Sequence, residues 1–320
     1  MKHIIKNTLP LLALTLVFTS CLKDHLAMDP AQSNNVIEFA NTGANVSPAT
    51  AIYPRFASDM GSLGTGDSAT FNVNLSYSGA EMAPNDITVT LALDTAALRA
   101  YNDDLGTDYV APPESVYKLA TTAVIKKGTQ VLQLKVAIIN NDNFDFNVNY
   151  ALPLKIAAVS SGVISGNYGL AIYSFAVRNV FDGVYEMTGT LTDNASSAIT
   201  GNYPVETQLI TYSGNSIALW DPVYAKAYGH IIRSGTGNSY YGYFSPVFAF
   251  DASGNVTVSN YFGDLAGPSK RSAALNPTGI NKITYGADGH VEYFEVSYFM
   301  TQSGTTRTSF NEKFTYKRPR

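Results

Sequence analysis

The residues best equipped to meet a ligand are concentrated between Trp220 and Phe250. This stretch holds the only tryptophan of the chain, in Trp220-Asp221-Pro222, followed by Tyr224, Tyr228, His230, Asn238, Tyr240, Tyr241, Tyr243 and Phe244. Flat aromatic faces match the apolar C–H patches of pyranose rings, and neighbouring amides and carboxylates hydrogen-bond hydroxyl groups. The residues expected to make such contacts are Trp220, Asp221, Tyr224, Tyr228, Asn238, Tyr241 and Tyr243. Aromatic-rich strands also fill cores and interfaces, so either role is open to each ring. Trp220 is the best placed as a rim residue, because it ends a strand just before a proline-containing loop.

Other chemistries find little material. The chain has one cysteine and four histidines. His3 lies in the leader and His25 just after it, which leaves His230 and His290. Two histidines, with no thiol left once Cys21 is acylated as expected below, are too few for a His-rich or cysteine-ligated metal centre. No Gly-x-Ser-x-Gly elbow is present to start a Ser-His-Asp arrangement. Gly64-Thr65-Gly66-Asp67 lacks the strand-turn-helix surroundings of a nucleotide loop.

Asn141, Asn143 and Asp145 occupy alternating positions as in a calcium loop. However, Phe146 replaces the turn glycine and Leu152 the bidentate carboxylate, so the segment reads as a polar hairpin loop. Glycoside hydrolysis requires two carboxylates about 5 to 9.5 Å apart across a cleft. Asp103-Asp104 sits at a helix end, and Glu292 and Glu295 point to opposite faces of one strand. Neither pair fits, and a pair distant in sequence is the form in which hydrolysis stays open. No metal or cofactor is expected.

Cys21 follows Phe18-Thr19-Ser20. Upstream, Lys2 and Lys6 precede an apolar run from Leu9 to Phe18, the layout of a secretory signal peptide. That run is well short of the roughly 20 residues a spanning helix needs. Small residues before a cysteine resemble the bacterial lipobox, in which the cysteine becomes the acylated first residue of the mature protein. The alternative is an ordinary signal peptide with an incidental cysteine. Acylation through thioether and amide would supply more than one chain and hence stable anchoring. Residues 1–20 are thus expected as signal peptide and 21–34 as a lipidated tether.

The elements that must position these residues are strands. Charged residues make up only 14%, whereas the chain has 21 Tyr and 16 Phe, and 45% of residues are hydrophobic. This is the composition of an all-β globular protein. A net charge of −4 without a basic block excludes nucleic acid as an expected partner.

Alternation predicts strands at 36–39, 70–77, 87–93, 116–119, 129–139, 151–159 and 170–177, with one helix over Thr95–Leu105, where Leu98, Tyr101 and Leu105 recur at helical spacing. Seven strands and a helix fit an immunoglobulin-like sandwich over residues 35–178. A boundary is expected at Arg178 to Phe181.

A meander follows over 179–320, with strands predicted at 184–191, 205–212, 216–220, 228–232, 240–250, 256–262, 280–285, 290–299 and 306–316. Asp251-Ala252-Ser253-Gly254-Asn255 and Ala287-Asp288-Gly289-His290 have the turn residues of hairpins. Eight or nine sequential antiparallel strands indicate a lipocalin-like up-and-down barrel or a large sandwich. In an unbroken 240–250 strand, Tyr241, Tyr243, Ser245 and Val247 share one face.

The phrases DITVTLALDTAALRAYNDDLGTDYVAPPESVYKL, AVIKKGTQVLQLKVAI and NYALPLKI follow one another in the first half. Tyr101-Asn102, Pro112-Pro113 before Tyr117, Lys127-Gly128 and Tyr150-Ala151-Leu152-Pro153-Leu154 are their landmarks. This half resembles the amino-terminal domain of uncharacterised function in surface lipoproteins of Bacteroidota polysaccharide-utilisation loci. NVFDGVYEMTGTL and FNEKFTYKRPR look like the carboxy-terminal domain often attached to it.

The resemblance implies a lipid-anchored outer-membrane protein facing the cell exterior, beside a TonB-dependent transporter and its glycan-binding lid. It carries no catalytic signature. The expectation is a non-catalytic surface glycan-binding lipoprotein that assists capture of a polysaccharide or glycoprotein glycan. The alternative is a structural or adhesive lipoprotein that docks a protein of the transport complex.

Overall fold

The computed structural model describes residues 35–40 and 44–320. The expected signal peptide, tether and Cys21 lie outside the described residues. The chain is all-β: strands run throughout, and one α-helix interrupts them among the described residues.

The first ten strands are β1 (Val36–Phe39), β2 (Arg55–Ser62), β3 (Ser68–Ser78), β4 (Ile87–Leu93), β5 (Tyr117–Lys118), β6 (Thr122–Ile125), β7 (Val131–Ile139), β8 (Tyr150–Val159), β9 (Val163–Ile164) and β10 (Leu170–Arg178). They form two five-stranded sheets, in the orders β5-β7-β3-β1-β9 and β2-β10-β8-β4-β6. Inward residues of both sheets, among them Phe39, Val73, Leu75, Val89, Ile138, Leu152 and Tyr173, share one buried core. This makes the first half a β-sandwich.

Helix α1 (Thr95–Leu105) has the predicted bounds for a local reason. Asp94 caps its start, accepting from the Ala97 N–H at 3.0 Å, and Gly106 ends it at φ 63°, where a side chain would be strained. Leu98 and Tyr101 bury its apolar side against Ala151 and Ile172. β2 and β6 are not among the predicted strands. Met60-Gly61-Ser62 and the short Thr122–Ile125 run carry too little alternation to stand out before their partners β10 and β4 are known.

From Gly183 onward there are thirteen strands: β11 (Gly183–Asp193), β12 (Ile199–Gly201), β13 (Val205–Ser213), β14 (Ser216–Asp221), β15 (Ala227–Tyr228), β16 (His230–Ser234), β17 (Gly237–Tyr241), β18 (Pro246–Phe250), β19 (Val256–Asn260), β20 (Arg271–Leu275), β21 (Asn281–Tyr285), β22 (Val291–Gln302) and β23 (Thr305–Arg318). Ten of them form one curled sheet, in the order β19-β18-β14-β13-β11-β23-β22-β20, with β15 on β14 and β21 on β22. Its ends approach each other. Asn255 bridges Lys282, and the Ile283 N–H donates to the Gly254 carbonyl at 3.0 Å, so the sheet is a nearly closed barrel. The remaining strands, β12, β16 and β17, make a separate three-stranded sheet.

Curling needs a bend, and Gly189 supplies one in the middle of β11. It sits at φ 147°, and a Cβ there would lie 2.2 Å from the Asn311 carbonyl oxygen of β23. Only glycine allows the two strands to approach so closely.

The interior is filled. Phe294 and Phe314 face each other across β22 and β23 and stack at 4.7 Å, as do Tyr298 and Phe310 at 4.6 Å. Phe244, Phe248 and Phe250 complete this aromatic core. Each such buried ring contributes about 1.5–3 kcal/mol.

Two expected strands are corrected here. The 240–250 segment is β17 and β18 separated by a turn, because Tyr243 adopts φ 57°. Likewise 228–232 divides at Gly229 into β15 and β16, which belong to different sheets. β12 and β20 were not predicted. Gly201 and the small residues Ser272, Ala273 and Ala274 give them little β signature.

Candidate functional site

Six aromatic rings meet on the outside of the barrel, and Tyr261 is their hub. Its ring stacks on Tyr228 at 3.8 Å and 15°, and stands edge-on to Phe262 at 5.2 Å and to Tyr212 at 5.9 Å. Tyr228 in turn meets Trp220 at 4.9 Å and 87°, and Phe262 meets Tyr243 at 5.8 Å. Phe262 and Tyr243 are 40% and 54% exposed, and Tyr212 is exposed as well. Trp220, Tyr228 and Tyr261 are partly buried beneath them.

Strand pairing explains the gathering. Trp220 and Tyr228 are register partners of β14 and β15. β14 also pairs with β18 and β18 with β19, which brings the end of β19, and Tyr261 just beyond it, to the same side. Backbone pins the arrangement: the Tyr261 N–H donates to the Ser245 carbonyl at 2.9 Å. Asn260 Nδ2 donates to the Tyr243 carbonyl at 3.1 Å and to that of Gly263 at 2.9 Å. Edge-to-face and offset pairs of this kind contribute about 0.5–1.5 kcal/mol each beyond area burial. The rings are therefore held in fixed mutual orientations. Burial, and after it the neighbouring Tyr261, raises the Tyr228 phenol above its ordinary range, so its hydroxyl stays protonated.

The predicted contact residues separate into three groups. Trp220, Tyr228 and Tyr243 belong to the six-ring cluster. Tyr224 is exposed but pairs with exposed Tyr240, at 6.5 Å, next to the cluster, and Asn238 is exposed on β17.

Asp221 and Tyr241 are corrections, because both are 2% exposed. Asp221 Oδ2 accepts the N–H groups of Tyr224 (2.8 Å) and Ala225, which folds the 222–226 loop instead of offering a carboxylate to solvent. Tyr241 points inward and donates to Asp193 at 2.6 Å. The turn at Tyr243 breaks the alternation, so Tyr241 and Tyr243 do not share a face. Tyr261, Phe262 and Tyr212 were missed. The available signal was the adjacent aromatic pair Tyr261-Phe262 at a strand end.

Inside the barrel lies a second group of polar side chains. Glu312 accepts from Tyr298 at 2.6 Å and from Tyr203, and His230 Nε2 lies 2.7 Å from its Oε1. His230 and Glu312 side chains are wholly buried. Burial first, then the adjacent Glu312 charge, raises Tyr203 and Tyr298 well above the ordinary phenol range, so both remain donors.

Nearby, Asp193 accepts from Tyr241, from Thr308 at 3.0 Å and from Arg307 at 3.1 Å. Burial tends to raise the Asp193 pKa. The hydrogen bonds from Tyr241, the Ala195 N–H, Arg307 and Thr308 outweigh it and leave the group below its ordinary range. His230 and Tyr241 come from the three-stranded sheet, and Glu312, Asp193 and Thr308 from the large one. These bonds fasten one sheet to the other.

The 140–149 loop is polar, but the expected hairpin is corrected: it joins β7 of one sheet to β8 of the other. Asn141 and Asn143 donate to Ser115, and Asp145 accepts from Asn147. Among the described residues no group of three or more His, Cys, Asp or Glu side chains converges as a metal site. No helix among them is long and apolar enough to cross a membrane.

A family model described as a "-like, N-terminal domain" matches residues 48–163, within the sandwich. No curated protein matches the chain. Among solved structures, a Bacteroides ovatus protein of unknown function shares the fold: TM-score 0.52 at 13% identity, over 89% of this chain and 95% of that one. Looser likenesses extend to an auxiliary nutrient binding protein from Bacteroides thetaiotaomicron (TM-score 0.41, 15% identity, 81% of this chain and 90% of that one). Another is a putative carbohydrate binding protein from Bacteroides ovatus (TM-score 0.37, 12% identity, 89% and 98%).

Proposed function

We propose that the protein binds glycan without transforming it, on the six-ring face of the barrel. The observation that carries this reading is the cluster itself: Trp220, Tyr228, Tyr261, Phe262, Tyr243 and Tyr212 in mutual contact, with three of them exposed. Preorganised rings carry little entropic cost on binding and offer apolar faces to pyranose C–H groups, while tyrosine hydroxyls bond the sugar rim. Asp182, Asp193, Asp221 and Glu312 of the barrel are buried and engaged with protein groups. None of them faces a cleft as a catalytic carboxylate would. Affinity on so shallow a surface is weak per sugar.

In this reading, residues 35–178 and 179–320 act as two domains, and acylated Cys21 anchors the chain in the outer membrane, facing the cell exterior. The sandwich is a spacer. Its geometry supports that role: Asn35, where the described chain begins, donates to Glu81 at one end of β3. Arg178, which leads to the barrel, accepts from the Leu63 N–H at the other end. Eleven residues of extended strand place these ends roughly 35 Å apart. A TonB-dependent transporter and its glycan-binding lid would be the partners receiving the captured glycan.

Calorimetry or affinity electrophoresis against a polysaccharide panel tests the reading, and retention by none of them would overturn it. A second reading, docking of a protein partner, draws on Val223 and Leu265, aliphatic residues 71% and 57% exposed in the loops that carry or follow the cluster. Capture of a transporter subunit together with no glycan affinity would favour it.

A further inference from the structure

Where Tyr241 of the three-stranded sheet enters the barrel, two guanidinium groups share one carboxylate. Asp193 ends β11, Arg307 lies near the start of β23 and Arg271 opens β20. Arg307 is the extra residue of a bulge: Met300 pairs with Thr308 and Thr301 with Thr306, so no residue of β22 stands opposite it. Bulges re-aim side chains. Arg307 reaches Asp193 through Nε at 3.1 Å and the Gln302 Oε1 through Nη1 at 2.8 Å, which leaves Nη2 without a protein partner among the described residues. Arg271 is the register partner of that same Gln302.

Asp193 has no capacity left for Arg271. Its Oδ1 accepts the N–H groups of Ala195 and Ser196, at 2.9 and 3.0 Å, and its Oδ2 accepts from Tyr241, Thr308 and Arg307. A carboxylate offers about four acceptor positions in all. Arg271 meets only neutral groups among the described residues. Its Nη1 donates to the Gly242 carbonyl, its guanidinium carbon lies 5.2 Å over the Tyr241 ring, and its Nε is buried with no partner. Burial first, and then the neighbouring Arg307 charge, lower Arg271 from the ordinary guanidinium range. One positive charge at this end of the barrel is thus uncompensated, and in a partly desolvated setting that is costly.

Arg307 and Gln302 also form part of the wall of a cavity of about 420 Å³, together with Asn194, Ser303, Thr305 and Thr306. Small-molecule sites occupy about 300–1,000 Å³, and no carboxylate lines this one. We propose that the cavity binds a small molecule through an oxyanion, carboxylate or phosphate in type, held on Arg307, with Arg271 supplying the second positive charge. The planar guanidinium fork matches both kinds of oxyanion. The hydroxyls of Ser303, Thr305 and Thr306 add neutral donors to the wall. An uncharged molecule of the same size would leave the excess charge in place. Oxyanion binding here and glycan binding on the six-ring face stand separately, and either can fail without the other.

The test is calorimetry of the whole protein with sodium acetate, sodium glucuronate, inorganic phosphate and sulfate, each against sodium chloride at matched ionic strength. At least one of the four should bind saturably with a Kd of about 1 mM or tighter; preference for the first two marks a carboxylate ligand and preference for the last two a phosphate-type one. Arg307→Gln and Arg271→Gln should each weaken that binding by about ten-fold or more, while Arg271→Lys, which keeps the charge, should stay within about three-fold of the parent. Arg307 also braces Asp193, so its replacement can disturb the fold. Thr306→Glu is the second variant: Thr306 is exposed on the cavity wall, and a carboxylate there should abolish oxyanion binding with an unchanged circular dichroism spectrum. No saturable binding of any of the four anions would overturn the proposal, as would undiminished binding by folded Thr306→Glu.

Discussion

Tyr228 and Tyr261 lie ring on ring, 3.8 Å between centroids and 15° from parallel, although 32 residues separate them. The stacked pair joins the β14–β15 corner to the end of β19. Of the three exposed rings, Tyr212 and Phe262 touch Tyr261, and Tyr243 reaches it through Phe262. Removing Tyr261 therefore loosens the exposed surface, whereas removing Tyr228 leaves Trp220 without its ring partner.

Tyr261→Ala should lower glycan affinity by about ten-fold or more and cost about 1–2 kcal/mol of stability, because it takes away three ring contacts at once. Tyr261→Phe keeps the ring and should retain most of both. Calorimetry and urea unfolding of the two variants check this; equal behaviour of Ala and Phe would count against the ring as the active feature.

Glu312→Ala leaves His230, Tyr203 and Tyr298 without their shared acceptor in a sealed interior. Breaking a buried charged network in this way costs about 3–5 kcal/mol. Chemical denaturation should show that loss, and a change below about 1 kcal/mol would mean that the barrel does not depend on this bond set.

The Asp193 carboxyl titrates below its ordinary value because the hydrogen bonds to it outweigh burial. A lowered folded-state pKa contributes stability above the unfolded value of about 3.9, and that contribution is lost as pH falls through the lowered folded value. Stability should thus decline below about pH 4. Asp193→Asn should be less stable at neutral pH and show a shallower acid decline. Melting temperatures of both proteins between pH 3 and 7 measure it, and parallel curves would remove Asp193 as a source of the acid sensitivity.

Arg320 clasps Asp182 with two bonds, Nε to Oδ1 and Nη2 to Oδ2, both at 3.1 Å, and its carbonyl accepts from Arg178 at 2.7 Å. These residues bracket the 178–183 connection between sandwich and barrel. Arg320→Ala should cost about 1–2 kcal/mol, between the values for exposed and buried pairs. It should also speed proteolytic cleavage at the connection. Unchanged cleavage kinetics would show that the clasp does not brace the joint.

The local rules were legible wherever a residue acts on its immediate neighbours. Asp94 and Gly106 delimit α1, and Gly254 and Gly289 adopt the positive φ their hairpin turns require. The long strands β3, β4, β7, β8, β22 and β23 carry enough apolar alternation or β-forming residues to be read directly. Short strands such as β12 and β20 escaped, because pairing partners hold them rather than their own residues.

Composition and alternation by themselves determined an all-β chain with a sandwich-like first half and an antiparallel meander, barrel or sandwich, after it. They also singled out the Trp220–Phe250 stretch as the aromatic reserve. Only the tertiary structure decided which rings turn outward. The left-handed backbone at Tyr243 reverses the facing that alternation assigns, sending Tyr241 into the core and leaving Tyr243 at the surface. The order β19-β18-β14 brings Tyr261 and Phe262 to Trp220 and Tyr228 across a distance in sequence that no local pattern spans. Lateral strand order is set by the summed packing of the whole barrel, and a binding face assembled across strands is a property of that order.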